Sequence, residues 1–230
     1  MSIELLERAA ARLGPVTDEV AFLGGATLAL WTDDPGAPDP RVTMDVDVVV
    51  LLDSRADYYA LGERLRDRGL HEDATSGVLC RWRDDEGLVL DVMPTEESIL
   101  GFSNRWYPRA VETAETVTLP SGAILRAVNP ALLLATKLEA FRRRGGDDYL
   151  ASVDLEDVVR LVDGRERLVD ELASAPVDVR EFVATELREL LEDPRFEAGV
   201  AAALLPDEAS QGRRGMVVER LRRMTDIGAA

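Results

Sequence analysis

Ile3, Leu6, Ala9, Ala10 and Leu13 recur at three- and four-residue intervals, which predicts a helix over Ile3–Leu13 that stops at Gly14-Pro15. Glu19–Leu23 reads as a short strand running into Gly24-Gly25, and Ala26–Trp31 as a helix beyond it. Asp33–Pro40 (DDPGAPDP) is a loop by composition. Met44–Leu52 alternates only at its start and is then almost continuously β-branched, the pattern of a buried central strand. Arg55–Gly69 has the spacing of an amphipathic helix. Val78–Arg83 and Leu88–Met93 flank Asp84-Asp85-Glu86-Gly87, which predicts a hairpin. Ser103–Tyr107 reads as a turn of helix. Thr116–Leu119 and Ala123–Ala127, separated by Pro120-Ser121-Gly122, predict a second hairpin.

From Asn129-Pro130 onward the pattern is helical. A capping side chain followed by proline starts a helix that runs to about Arg144 and ends at Gly145-Gly146. Asp154–Val162, Arg165–Ser174, Asp178–Leu191, Phe196–Leu204 and Ser210–Met224 follow, with capping-box spacing between Asp178 and Glu181. The order predicts an α+β chain: a mixed sheet with flanking helices over residues 1–128, then an all-helical C-terminal domain over residues 129–230.

Composition narrows the chemistry. Hydrophobic residues make up 46% of the 230, enough for a packed core. The single Cys80 excludes an internal disulfide and a cysteine-rich zinc site, and fits a reducing cytoplasm. The lone His71 excludes a multi-histidine metal cluster. Any metal must therefore be held by carboxylates, which favours magnesium or manganese. The start of the chain carries no signal-peptide pattern, and no apolar run reaches the roughly 18 residues of a membrane span. A cytoplasmic protein without a membrane partner is expected. The net charge of −17 opposes avid, non-specific binding to nucleic acid. The clusters Arg142–Arg144 and Arg213, Arg214, Arg220, Arg222 and Arg223 read as solvated helix faces.

Three features suggest a site. Gly24-Gly25 sits at a strand-to-helix turn, where glycine lets a backbone approach phosphate, although such a pair is more often only a turn. Thr43-Met44-Asp45-Val46-Asp47 opens the most hydrophobic strand. Residues two apart on a strand share a face, so Asp45 and Asp47 present two carboxylates side by side. Either they lie in water at a frayed strand end, or a cation compensates them. Asp91 interrupts the apolar run Leu88–Met93. If that strand pairs beside the first, the three acids form a cradle for two magnesium ions about 3.5–4 Å apart, suited to phosphoryl chemistry.

Gly-Gly, a spacer, (Ser/Thr)-x-Asp-x-Asp and a later strand aspartate resemble the polymerase-β nucleotidyltransferase superfamily. More narrowly they resemble the AbiEii/AbiGii-type nucleotidyltransferase toxins, which include the MenT toxins of type IV toxin–antitoxin systems. The likeness is carried by Phe22–Gly25, Arg41–Asp47, Lys137–Phe141 and Ser152–Asp157, with Cys80-Arg81-Trp82, Asp91–Pro94 and Gly101–Tyr107 beside them, and it spans roughly residues 20–165. It implies a minimal polymerase-β-type fold, with residues 1–128 as the catalytic domain and residues 129–230 completing the active site. It implies that Gly24, Gly25 and Thr43 contact the nucleotide and that Asp45, Asp47 and Asp91 ligate magnesium or manganese. Lys137 would meet the triphosphate, and Asp154, with Asp157 the weaker candidate, would orient that lysine or the acceptor. Two departures stand out: Asp33–Pro40 lengthens the spacer, and Val153 replaces an expected polar residue.

Simpler readings stand beside these roles. Lys137 is also an ordinary surface lysine by position, and Asp154 or Ser152 is equally a helix cap. Arg81, Arg83 and Arg105 suit either phosphate or the chain's own carboxylates. Trp82, Trp106 and Tyr107 suit packing better than base stacking. Cys80 reads as a buried small hydrophobe, and His71 as an incidental surface residue. The resulting expectation is a transferase moving a nucleoside monophosphate from an NTP to an acceptor hydroxyl. By resemblance the acceptor is a tRNA 3′ end and a partner is a cognate antitoxin. A small-molecule or protein acceptor, and a non-catalytic binding module, are the alternatives.

Overall fold

The computed structural model describes residues 2–145 and 148–227; the expected helix end at Gly146 lies outside the described residues. Seven strands are formed: β1 Val20–Leu23, β2 Val46–Val50, β3 His71–Glu72, β4 Arg81–Arg83, β5 Val89–Pro94, β6 Glu115–Thr118 and β7 Ile124–Ala127. The helices are α1 Ser2–Leu13, α2 Leu28–Trp31, α3 Arg55–Asp67, α4 Glu97–Leu100, α5 Tyr107–Glu112, α6 Pro130–Gly145, α7 Val153–Gly164, α8 Leu168–Ala173, α9 Val177–Glu192, α10 Phe196–Ala203, α11 Glu208–Gly212 and α12 Arg214–Ile227. The chain packs as two compact units. One comprises residues 1–29 and 41–129, the other residues 30–40 and 130–230. No described helix is long and apolar enough to cross a membrane.

The first unit is built on one mixed sheet of order β3-β4-β5-β2-β1-β7-β6. β2 lies antiparallel to β1 and parallel to β5, and β4 returns antiparallel on β5. β2 is central because Val46, Val48, Val49 and Val50 are buried, as an apolar β-branched run requires. α3 is capped by Ser54, whose hydroxyl accepts from the Asp57 N–H, and it buries Leu61 and Leu65. Gly62 lets this helix close on Trp82: a Cβ there would stand 3.3 Å from the indole. Because side chains alternate along a strand, the neighbour of Trp82 on β4, Arg81, points to the sheet face opposite α3.

The second unit is helical around α7, on which Leu155, Val158, Val159, Leu161 and Val162 are buried. Phe141 and Phe196 meet Tyr149 edge-on, with ring centroids 5.8 and 6.2 Å away. The segment 30–40, which runs from the end of α2 through the loop that composition predicts over Asp33–Pro40, packs with these helices. The N–H groups of Asp33 and Asp34 both donate to the Gly164 carbonyl, at 2.9 and 3.0 Å. Asp33 pairs with Arg165 at 2.7 Å. Asp34 pairs with Arg213 at 2.6 Å, and Arg213 in turn holds Asp163 at 2.6 Å. The Arg213 guanidinium keeps the Asp34 carboxyl below its ordinary range.

Several elements depart from the sequence expectation. The turn of helix at Ser103–Tyr107 falls later, as α5, so Tyr107 starts the helix. Asp178 and Glu181 form no capping box: α9 begins after Pro176, with no side-chain cap. The helix read over Ser210–Met224 is two helices broken at Arg213, the residue committed to Asp34 and Asp163. The strand read over Met44–Leu52 is confined to Val46–Val50, so Asp45 lies just before it. α4 and β3, which includes the exposed His71, have no counterpart in the sequence reading.

Candidate active site

The register of the sheet draws the acids together. Asp47 on β2 is the direct cross-strand partner of Leu23 on β1 and of Asp91 on β5. Asp91 in turn faces Arg81 on β4. Direct partners share a face of the sheet, so Leu23, Asp47, Asp91 and Arg81 form one row across four strands. Asp45 stands two residues before Asp47, on the same side.

Two carboxylates directly opposite each other on a sheet repel, and Asp91 is nearly buried, with its side chain 10% exposed. Arg81 compensates the Asp91 charge and ties it to Asp45. Its Nε donates to Asp91 Oδ1, and its Nη2 to both Asp91 Oδ2 and Asp45 Oδ2, each at 2.8 Å. Asp45 and Asp91 thus share one guanidinium nitrogen, which sets their oxygens within two hydrogen-bond lengths of each other. The hydrogen bonds to Asp91, followed by the charges of Asp91 and Asp45, raise the Arg81 pKa still further above its ordinary value. Among the described residues no three His, Cys, Asp or Glu side chains stand as a ready-made metal cluster. The cation that gathers these carboxylates here is the guanidinium.

The diglycine completes this corner of the unit. Gly24 ends β1 with φ 80° and ψ −168°, a region that residues with a Cβ essentially avoid. It is also in contact with Asp47: a Cβ on Gly24 would fall 1.9 Å from Asp47 Oδ2. Two independent constraints therefore demand glycine at this position. A Cβ on Gly25 would meet Arg41 Nη2 and the Thr43 methyl, each at 2.8 Å. Thr43 is 9% exposed, and its hydroxyl oxygen is buried without a hydrogen-bond partner. A buried hydroxyl left unsatisfied beside a glycine turn suits a site that a ligand completes.

Lys137 and Asp154 lie in the second unit. Lys137 on α6 places Nζ 2.7 Å from Asp157 Oδ2 and 3.3 Å from Asp154 Oδ1. Asp154 also accepts from Arg144 Nη2, at 3.0 and 2.9 Å. The Asp157 side chain is fully buried, and the lysine stands beside it as a counter-charge. Asp157, the weaker candidate by sequence, is thus the closer partner of Lys137. The cap of α7 is Ser152, whose hydroxyl accepts from the Leu155 N–H, so Asp154 is not needed for capping.

The remaining candidates resolve into ordinary contacts. Arg83 pairs with Asp73 at 3.3 Å, and Arg105 stacks on Trp106. Trp82 is core, 1% exposed. Cys80 is buried, and its thiol is pushed up to about 12 by burial first and by the charges of Asp91 and Asp47 next, so it is no nucleophile. Of the three arginines that the sequence offered to phosphate or to carboxylates, Arg81 is the one that joins the carboxylate row. Its signal is present in hindsight: Arg81 immediately precedes Trp82 in a hairpin with Asp91.

Neither a family model nor a curated protein matches the chain. Among solved structures, JHP933 from Helicobacter pylori is similar at 13% identity and TM-score 0.48, over 98% of this chain and 90% of that one. A provisionally assigned nucleotidyltransferase from H. pylori is similar at 13% identity and TM-score 0.47, over 99% of this chain and 93% of that one.

Proposed function

We propose that this chain is a metal-dependent nucleotidyltransferase that moves a nucleoside monophosphate from an NTP to an acceptor hydroxyl. What carries the reading is the pairing of Asp47 with Asp91 on adjacent strands, with Asp45 sharing a cation with Asp91 and Gly24 pressed on Asp47. A row in which two carboxylates, Asp45 and Asp91, already share one positive charge, with Asp47 as the cross-strand neighbour of Asp91, fits a hard divalent ion. Magnesium or manganese held by Asp45, Asp47 and Asp91 would supply charge neutralisation for the attacking and leaving oxygens. The chain's own residues then have positioning tasks. Gly24 and Gly25 leave room for phosphate to approach the backbone, and the unpartnered Thr43 hydroxyl is available to a phosphate oxygen. Lys137, held by Asp157 and Asp154, is the lysine to which the resemblance assigns a point charge for the triphosphate.

For the acceptor we favour the tRNA 3′ end suggested by the resemblance to the AbiEii/AbiGii-type toxins, with an antitoxin as the regulatory partner. The net charge of −17 favours the second reading, a small-molecule or protein hydroxyl. The test is transfer of label from each of the four α-labelled NTPs, with magnesium or manganese, into total RNA and separately into protein and small-molecule pools. Asp47→Asn should abolish transfer. Label in RNA that maps to tRNA 3′ ends supports the first reading, and label confined to protein or small molecules supports the second. No transfer into any pool, with Asp47→Asn indistinguishable from wild type in nucleotide binding, leaves a non-catalytic module.

A further inference from the structure

We infer that Arg81 is a displaceable internal cation: it holds the place of the divalent ion between Asp45 and Asp91 and must be exchanged for it. The inference rests on the reading of Asp45 and Asp91 as cation ligands and adds how that site is kept before loading. Three carboxylate oxygens that a metal would use, Asp91 Oδ1, Asp91 Oδ2 and Asp45 Oδ2, all accept from this one guanidinium at 2.8 Å. A divalent ion on the same oxygens would sit within a few ångströms of a fixed positive charge, so the two cations exclude each other.

The surroundings permit the exchange. The Arg81 side chain is 23% exposed and that of Asp45 38% exposed, so the guanidinium reaches the acids from the solvent side. Its backbone is fixed in β4, where Trp82 anchors the strand against α3. Only the side chain has to move, and a planar fork released from one set of oxygens suits the phosphate oxygens of an incoming nucleotide. The bare ion must compete with Arg81 alone, whereas ion and nucleotide together give the arginine a new partner. Arg81 therefore suppresses metal binding in the absence of nucleotide and couples the two ligands.

The experiment measures Mn2+ binding to the full chain by the electron paramagnetic resonance signal of free Mn2+, for wild type, Arg81→Gln and Arg81→Lys, without nucleotide. Removing three charge-assisted bonds should tighten Mn2+ binding in Arg81→Gln by about tenfold or more. Arg81→Lys, which keeps the charge but loses the fork, should fall between the two. In chelator, Arg81→Gln should melt below wild type and recover on adding Mn2+, a rescue that a purely structural arginine would not give. If Arg81→Gln does not fold in chelator, Arg81→Lys is judged alone: tighter binding than wild type supports the exchange, and equal or weaker binding refutes it. Wild type and Arg81→Gln binding Mn2+ equally well would overturn the exchange and leave the metal site standing. No Mn2+ binding by any of the three proteins would remove both.

Discussion

Gly24→Ala tests the corner on which the carboxylate row depends. The new methyl would lie 1.9 Å from Asp47 Oδ2 and 2.8 Å from its Cγ, whereas real Cβ contacts essentially never fall below 3.0 Å. The Asp47 carboxylate must therefore retreat by about 1 Å or more, a displacement that costs roughly 100-fold in rate when it misplaces a reacting or ligating group. That factor corresponds to about 2.7 kcal/mol of transition-state stabilisation. Backbone strain adds to it: φ 80° with ψ −168° costs a residue with a Cβ about 1–3 kcal/mol. At roughly 2–4 °C per kcal/mol, Tm should fall by about 2–12 °C. Gly101 provides the control, with φ 83° but no atom within 4 Å of an added Cβ. Gly101→Ala should lose about 1–2 kcal/mol of stability and change NTP transfer less than about twofold. The assay pair is thermal unfolding and kcat/KM for label transfer on both variants. If Gly24→Ala keeps kcat/KM within about threefold of wild type, or if Gly101→Ala loses as much activity as Gly24→Ala, the carboxylate contact is not what makes glycine necessary.

Three further outcomes are expected. Lys137→Met leaves the buried Asp157 without its counter-charge and should cost about 3–5 kcal/mol by urea unfolding; adding Asp157→Asn should restore much of the stability while transfer stays lost. A double variant regaining activity as well would reduce Lys137 to a structural role. Asp34→Asn should destabilise by about 2 kcal/mol at pH 7. The folded-state pKa of Asp34 is depressed, so the stabilisation is present above the ordinary value of 3.8 and is lost as pH falls through the lower folded value. Wild type and variant should therefore converge below pH 3.8, and a gap that stays constant down to pH 2 contradicts the ion pair. Cys80 should resist iodoacetamide at pH 8 in the folded protein and react fully in denaturant, as mass spectrometry can show; rapid modification of the native chain would contradict its burial and raised pKa.

Every strand but β3 and most helices were legible because their patterns are local. The valines of β2 and the period-two placement of Asp45 and Asp47 are visible in six consecutive residues. That Asp91 lands opposite Asp47 was not legible, since it depends on the register of a parallel pair formed across more than forty residues. Arg81 was one of several candidate arginines. Only the sheet shows that it faces Asp91 while Arg83, two residues on, turns to Asp73. Asp178 and Glu181 had the right spacing for a cap, yet Pro176 sets where α9 begins. The break at Arg213 was hidden for a related reason: its guanidinium is held by Asp34, 179 residues earlier, and no local signal carries such a distance.

The course of the backbone through residues 30–40 means that neither unit is a single uninterrupted stretch of sequence. Cutting the gene after codon 129 would not yield two intact halves. The upstream fragment would carry Asp33 and Asp34 without Arg165 and Arg213, and the downstream fragment would expose those arginines and the Gly164 carbonyl. Domain dissection or module swapping would need a new linker joining residues 29 and 41, with residues 30–40 transplanted alongside the helices.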